Sequence, residues 1–569
     1  IAKAAIRAYN RNNEERLVYA NNEKVFFYIY QKVGQQYHHV NICTNDNDTL
    51  TDSAAAELLC SEFAKNFSIR SNILLPESVL IDNTAFTFTC DELKVMEALH
   101  GCPNTNSSPD GISFKLLKSI AKYIVQPLNI IFQHSLYEGT FPSAWKHAIV
   151  IPLYKGRGDR STVASYRPIS LCSCLGKILE KIANKQLQDY LHATCLLHKG
   201  QHGFIAGRST MTNLLQCDNY ATNSILADHP FDVISFDFCK AFDKVPHSCV
   251  IDAAKEFGIQ GSALAWIASF LSDRTQQVKI GTSLSATIEV ISGTIQGSVL
   301  GPTLYIISIN SLLRSINLPF GAFADDLKFV ADLVIYNRQQ IQSEINKVSI
   351  WADTHHMPLS LEKSVVMHCG RNQYPHYYTI NGQPIKSVDN HIELGVVTTS
   401  NSGFTQQCDA VIAKATRAAG AIRRAFKTRQ RQLMWPAFQS YILPILSYCS
   451  QYWSPYLQRD INAVERIQRR FTKTIGGLNN LSYVDRLSSL GAMSLQQRRR
   501  YTDMVTIYKC LHSEMNCTPA DIGLSVVTSN SRGKDIRLVQ QKASNAMCAA
   551  HFKCRAASQW NKLPFNIVN

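Results

Sequence analysis

The adjacent acids Asp325 and Asp326, inside Phe323-Ala-Asp-Asp326, constrain this chain more than any other feature, and Asp237 at the end of Phe231-Asp-Val-Ile-Ser-Phe-Asp237 belongs with them. Two neighbouring carboxylates repel, and a fold keeps them together where a positive charge, most often a divalent metal, sits between them. The run from Phe231 to Asp237 reads as a short strand carrying one acid at its end. Gly321 to Val330, apolar on both sides of the acids, reads as a hairpin whose turn holds the other two. Three carboxylates on neighbouring strands predict a site for two Mg2+ ions about 3.5–4 Å apart, one activating a hydroxyl and one stabilising a leaving oxygen. The competing reading, for the acid pair by itself, is a solvated turn.

Further motifs surround the acids. Gly293-Thr-Ile-Gln-Gly-Ser-Val-Leu-Gly-Pro-Thr-Leu304 reads as a glycine-rich loop running into an apolar helix that Gly297 and Ser298 open, with Gln296 placed to hydrogen-bond a bound nucleotide. Upstream, Lys155 and Arg167 stand in loops bordered by apolar residues, where cations neutralise a triphosphate, Arg through its planar fork and Lys as a point charge.

Taken in order, Ser108-Pro-Asp-Gly-Ile112, Tyr166-Arg-Pro-Ile-Ser170, Gln201-His-Gly-Phe204, Gly207-Arg-Ser-Thr210, Phe236-Asp-Phe-Cys-Lys-Ala-Phe-Asp243, Gln296-Gly-Ser-Val-Leu-Gly-Pro302, Phe323-Ala-Asp-Asp326 and Leu394-Gly-Val396 resemble the reverse transcriptase of non-long-terminal-repeat retrotransposons of the jockey-like kind. Tyr448 to Pro455 and Glu465 to Arg470 continue the likeness. The resemblance implies an α+β right-hand polymerase fold, with fingers, a palm of antiparallel sheet plus helices, and a helical thumb. It implies an RNA-directed DNA polymerase acting on template RNA, a DNA primer and deoxynucleoside triphosphates, with two Mg2+ ions or Mn2+ in their place. Residue by residue, Asp237, Asp325 and Asp326 match the metal-binding carboxylates, and Lys363 the general acid toward pyrophosphate. Lys155 and Arg167 match the triphosphate cations, Gln296 and Gly297 the nucleotide loop, and Phe242 the aromatic that excludes a ribose 2′-hydroxyl. Ile295, Ile205 and His202 depart from the family's usual proline, basic and aromatic residues. A viral RNA polymerase and an intron maturase share the paired acids, but Phe242 favours deoxynucleotides and the Tyr448 to Pro455 phrase favours the retrotransposon. The reading from another class is a catalytically silent nucleic-acid-binding relic.

At 569 residues the chain is too long for one core, so two to four domains are expected. The family likeness divides it into a linker region over 1–75, fingers over 76–230, a palm over 231–398 with the reverse transcriptase domain at roughly 145–398, a basic thumb over 399–480 and a C-terminal helical region over 481–569. Lys+Arg 58 against Asp+Glu 43 leaves a charge of +15, which favours polyanionic partners. No apolar run of about 18 residues is present, so no membrane-spanning helix is expected. Seventeen cysteines, an odd number without a CxxC pair, fit a reducing intracellular compartment. Cys548 to Cys554, with Cys510, His512 and Cys517 upstream, lacks the ligand spacing of a zinc site, and His38-His39 and His355-His356 read as solvated. The chain opens at Ile1 and reads as a fragment of a longer frame. The likeness places its action in the nucleus at integration, with a cytoplasmic ribonucleoprotein as the other station.

Several elements are predicted directly. Phe114 to Tyr123 reads as one helix, Ile341, Ile345, Val348 and Ala352 mark a helix with one apolar face, Val365 to Met367 is a return strand, and Trp266 to Leu271 is a buried helix end with Arg274 as a basic exit. Between Asp409 and Asp460 there is no acid. Ile412, Ala415, Ala419, Ile422 and Phe426 share one helical face and Lys414, Arg417 and Arg424 the opposite one, predicting a thumb helix along template–primer phosphates. A merely solvated face and a membrane-surface helix are its alternatives. Arg466, Arg469, Arg470, Lys473 and Arg498-Arg-Arg500 extend the positive charge toward template RNA, and Tyr448 to Tyr456 is read as core, with base stacking as the alternative.

Overall fold

The computed structural model describes residues 40, 42–43, 49–70, 86–104, 108–156, 158–371, 376–528 and 536–564. His38-His39 and most of the stretch before Thr49 lie outside them. The elements that build the site are, in chain order, helix α1 (Asp52–Ala64), strands β1 (His147–Tyr154) and β2 (Tyr166–Leu171), helices α2 (Cys174–Ala193) and α3 (Thr210–Leu226), and strands β3 (Phe231–Phe236), β4 (Arg274–Ile280), β5 (Ser283–Leu284) and β6 (Ile288–Val290). Helix α4 (Gly301–Ser315), strands β7 (Phe320–Phe323) and β8 (Asp326–Asp332), helix α5 (Arg338–Thr354) and strand β9 (Val365–Cys369) follow. Beyond them lie helices α6 (Thr405–Ala425), α7 (Gln458–Lys473), α8 (Leu495–Leu511) and α9 (Phe552–Trp560).

Two sheets carry the architecture. In the first, the order is β2-β1-β4-β5 with β6 on β4, and β1 runs antiparallel to β2 and parallel to β4. Strand β4 therefore leaves the stretch 231–398 to join strands some 130 residues earlier, as His147 pairs with Thr275. Helix α1, read in the sequence as linker, packs its Ala56, Leu59 and Phe63 on this sheet with Val150 and Val278. The second sheet places β9 and β8 on either side of β3, with β7 outside β8 and all three pairings antiparallel. Five of the six residues of β3 are buried, as a central strand covered on both faces requires. Alternation sends Phe231 and Val233 to one side, with Val330 and Met367 against Cys217 of α3. Ile234, Phe236, Leu327 and Phe329 face the other side and join the main core with α4 and α5.

Helix α5 buries Ile341, Ile345, Val348 and Ala352 as predicted. Other elements differ in detail. The Phe114 to Tyr123 helix is broken at Ile120, Phe114–Ser119 being one helix and Ala121–Tyr137 the next. Helix α4 begins at Gly301 rather than at Gly297 and Ser298. Gly297 has φ +125°, outside the helical range, and the Val299 and Leu300 N–H groups donate to Glu180 of α2 at 2.7 and 3.2 Å instead of entering a helical ladder. Ser298 contributes from outside, its hydroxyl accepting Gly301 N–H at 2.8 Å. Arg274 is no basic exit: it is 2% exposed, donates to the Phe270 carbonyl at 3.0 Å and lies over the Phe141 and Phe270 rings.

A second core holds the region after Ser400. Cys408, Val411, Ala415, Ile422 and Phe426 bury one side of α6 against Trp453, Ile467 and Phe471. Ile412 and Ala419 are only half-buried, and Lys414, Arg417 and Arg424 are exposed. In the 448–456 segment Trp453 is fully buried, whereas Tyr448 is exposed and donates its hydroxyl to the Leu394 carbonyl at 2.8 Å. Arg499 likewise turns inward, its guanidinium 4.4 Å from the centre of the Trp453 ring. It leaves Arg498 and Arg500 as the solvent-facing members of their run.

The Glu180 carboxylate is 1% exposed and is the acceptor for two backbone donors that no helix satisfies. Glu180→Leu is expected to lower unfolding free energy by about 2–6 kcal/mol, at ~1–3 per stranded donor, with Glu180→Gln, which keeps an acceptor, costing less. Urea denaturation of the two variants measures the difference.

Candidate active site

The β7–β8 hairpin brings Phe323 opposite Asp326, leaving Ala324 and Asp325 as its turn. Ala324 has φ +57°, a left-handed conformation that a residue with a Cβ adopts only when its surroundings hold it there. The holder is Gln201, 0% exposed. Its Oε1 accepts the Ala324 and Gly203 N–H groups at 2.9 and 2.8 Å, and its Nε2 donates to the Ala324 carbonyl at 3.3 Å. The neighbouring backbone zips onto β7, Ala322 N donating to Gly200 O and His202 N to Ala322 O, both at 2.8 Å. Gly203 comes so close that a Cβ there would lie 2.3 Å from the Ala324 nitrogen.

Asp237 follows the end of β3, fixed by its backbone. Its carbonyl accepts Ser360 N–H at 2.7 Å and its own N–H donates to the Ser364 hydroxyl at 3.3 Å. This anchorage carries Lys363 over the site, with its Nζ 3.0 Å from Asp237 Oδ2. Burial raises the Asp325 carboxyl above its ordinary range and Asp237 adds repulsion, while Arg167 and Lys363 draw it back. Asp326 keeps an exposed side chain in crowded surroundings, and desolvation, then Asp325, Glu393 and Asp237, push it up to about 7. Glu393 itself is paired with Lys328, two residues along β8 from Asp326. The structure thus gathers Asp237, Asp325, Asp326 and Lys363, with Arg167 within their electrostatic reach. Among the described residues no three His, Cys, Asp or Glu side chains form a ready cage for a metal. The donors nonetheless fit a hard cation: acidic oxygens crowded enough to suppress one another's ionisation.

Phe242 is half-buried and stacks on Tyr305 of α4, with centroids 4.3 Å apart and planes at 24°. Phe204 meets it edge-on at 5.8 Å. The Tyr305 ring is fully buried, and burial, then Asp325 and Asp326, keep its phenol protonated. Gln296 Nε2 donates to Asp243 Oδ1 at 2.8 Å, and its backbone carbonyl accepts Ser170 N–H at 2.7 Å. Gly297 is exposed and pressed against β2, where a Cβ would lie 2.3 Å from the Ser170 carbonyl oxygen. Lys155 donates to the Ala164 carbonyl at 2.6 Å, and Arg167 is exposed on β2. Lys414, Arg417 and Arg424 lie exposed on α6, whose other side packs into the second core, and are not part of this cluster.

Sequence reasoning missed several contributors. Gln201, Gly203 and Asp243 lie inside segments already singled out, but nothing in their spacing announces a partner. Asn66 reaches the site from just beyond α1, its amide donating to Asp243 Oδ2 at 3.5 Å and its carbonyl accepting from Lys240. His202 is buried, bonded to Thr212 at 2.8 Å and to Gln216, and burial pushes its imidazole down to about 4.

Residues 155–406 match the family model described as reverse transcriptase (RNA-dependent DNA polymerase), so that stretch, with its mixed helices and sheets, carries a reverse transcriptase domain. The relatives it resembles are polymerases of the non-long-terminal-repeat kind. It is 25% identical over 394 residues to the RNA-directed DNA polymerase from mobile element jockey of Drosophila melanogaster, covering 65% of this chain and 42% of that protein. It is 30% identical over 253 residues to the retrovirus-related Pol polyprotein from type-1 retrotransposable element R2 of Popillia japonica, covering 42% of this chain and 34% of that one. The chain thus spans less than half the length of either relative. Likeness to the solved Candida albicans telomerase in complex with a telomeric RNA fragment is slight, with a TM-score of 0.34 at 11% identity over 62% of this chain and 68% of that one.

Asp326 binds its proton more tightly folded than unfolded. Its contribution to stability is therefore fully present below the unfolded pKa of about 4 and is lost as pH rises toward 7. In metal-free buffer Asp326→Asn is expected to melt above the parent at pH 8 and to lose that advantage toward pH 4. Calorimetric melting across this range checks it.

Proposed function

We propose that this chain is the RNA-directed DNA polymerase of a non-long-terminal-repeat retrotransposon, extending a DNA primer on template RNA with deoxynucleoside triphosphates. The observation that carries the reading is the convergence of Asp237, Asp325 and Asp326 at one end of the second sheet, with Lys363 against Asp237. The primer 3′ oxygen attacks the nucleotide α-phosphorus, a new phosphodiester bond forms, and the bond to pyrophosphate breaks. Two Mg2+ ions, or Mn2+, held by Asp237, Asp325 and Asp326, would supply an acidified primer hydroxyl and charge for the leaving oxygen. Lys363, paired with Asp237 at 3.0 Å, would serve as the proton donor to pyrophosphate.

Lys155 and Arg167 neutralise the triphosphate from the first sheet. Gln296 and Gly297 form the wall of the nucleotide pocket, Gln296 exchanging or sharing its bond to Asp243, and Gly297 keeping side-chain bulk away from the ligand. Phe242 lies beneath the sugar, braced by Tyr305, in the space that a 2′-hydroxyl requires. These parts correspond to fingers over 76–230 completed by β4 to β6, a palm over the rest of 231–398, a thumb over 399–480 that tracks phosphates through Lys414, Arg417 and Arg424, and a helical region over 481–569. No helix of the described residues is long and apolar enough to cross a membrane. The work of such a polymerase lies in the nucleus at integration.

Extension of oligo(dT) on poly(A) with deoxythymidine triphosphate tests the reading directly, and a folded, RNA-binding protein that adds no nucleotide would be the silent relic instead. Asp325→Asn is expected to reduce extension roughly a hundredfold or more while leaving template binding nearly intact, since charge at the reacting phosphate is lost and the fold is kept. Filter binding beside the extension assay separates the two effects. Phe242→Val is expected to raise ribonucleotide incorporation relative to deoxynucleotide. A mere cavity, costing about 1–3 kcal/mol, would lower both together and leave their ratio at the parental value.

A further inference from the structure

Helix α8 has two unlike faces. Leu495, Arg499, Asp503, Ile507 and Cys510 are buried, while the opposite side carries Arg500, Tyr501, Tyr508 and Lys509 along an open groove of about 1100 Å3. Trp560 of α9 and Lys562 beyond it line the other wall. The two tyrosines lie seven positions apart, so they share a face about two turns and ~10 Å from each other. Both rings meet solvent, Tyr501 at 58% and Tyr508 at 38% exposure, and Tyr508 is steadied by His512 with centroids 4.1 Å apart.

The charges in this groove are uncommitted. Among the described residues neither Arg500, Lys509 nor Lys562 has an ion-pair partner, whereas Arg555 is held by Asp503 at 2.9 and 3.0 Å. Glu514 is the acid of the lining. An apolar polypeptide in this groove would cover the rings but strand three cations away from water. A single-stranded nucleic acid satisfies both, bases stacking on rings and phosphates meeting cations. Ser558 and Gln559 also line the groove and offer partners for a 2′-hydroxyl, which favours RNA over DNA. We propose that the groove between α8 and α9 binds single-stranded RNA, as a second RNA-binding surface outside the catalytic cluster.

The test is fluorescence anisotropy of a short labelled oligouridylate on the full chain, in a background with Lys414, Arg417 and Arg424 changed to Gln so that the α6 surface is silenced. Tyr501→Ala and Tyr508→Ala are each expected to weaken binding between about fivefold and a hundredfold without changing the slope of log affinity on log salt. Arg500→Gln, Lys509→Gln and Lys562→Gln together are expected to flatten that slope by about 2, at ~0.7 per phosphate on a single strand. Thermal melts confirm that these exposed substitutions leave the fold intact. Unchanged affinity and slope in both sets would overturn the proposal, assigning the groove to another class of partner, and equal affinity for oligodeoxythymidylate would overturn its RNA preference. Binding requires no catalysis, so failure of polymerase activity leaves this test unaffected.

Discussion

One buried amide, that of Gln201, governs where the paired acids stand. A left-handed alanine costs roughly 1–2 kcal/mol, and a turn between two short strands has little else to hold it. Gln201 offsets that cost by bonding both polar backbone groups of Ala324 and by tying Gly203 to the same oxygen. His202 passes the constraint onward, since its backbone joins β7 and its ring is locked to Thr212 and Gln216 of α3. The position of Asp325 and Asp326 is thus fixed from α3, more than a hundred residues earlier, rather than by the hairpin itself.

The nucleotide side depends on the same kind of remote support. Glu180 of α2 collects the backbone donors at the head of α4, Gly297 lies against Ser170 of β2, and Asp243 binds both Gln296 and Asn66. Each contact joins the first sheet and its helices to the second. A movement of β2 against α4 would therefore alter Gln296 and the floor at Phe242 together, since Tyr305 belongs to α4 and stacks on that ring.

Much of this was legible in the sequence wherever a pattern is local. Asp237, Asp325 and Asp326 stand at the ends of apolar runs, and a run ending in an acid is what a buried strand delivering a carboxylate looks like. The periodicity of α5 and α6 was legible for the same reason. Arg274 and Arg499 were misread because a cation's letter carries no trace of the aromatic rings and carbonyls that enclose it three-dimensionally. The bond of Gln296 to Asp243 was not foreseen, and the start of α4 was misjudged because Glu180, distant in sequence, claims backbone groups that local reasoning gives to the helix. Asn66 gave no signal, its role arising only from where α1 docks.

On the proposed function, the contact of Gly203 with Ala324 bears on how copies of such an element decay. A copy accumulating random substitutions need not lose an acid to fall silent. Any side chain at position 203 collides with the backbone that presents Asp325, and loss of the amide at position 201 releases the same turn. Neither position supplies a carboxylate, yet a change at either disturbs the turn that presents Asp325 and Asp326. A survey of genomic copies that scores only the aspartates would count many dead elements among the living.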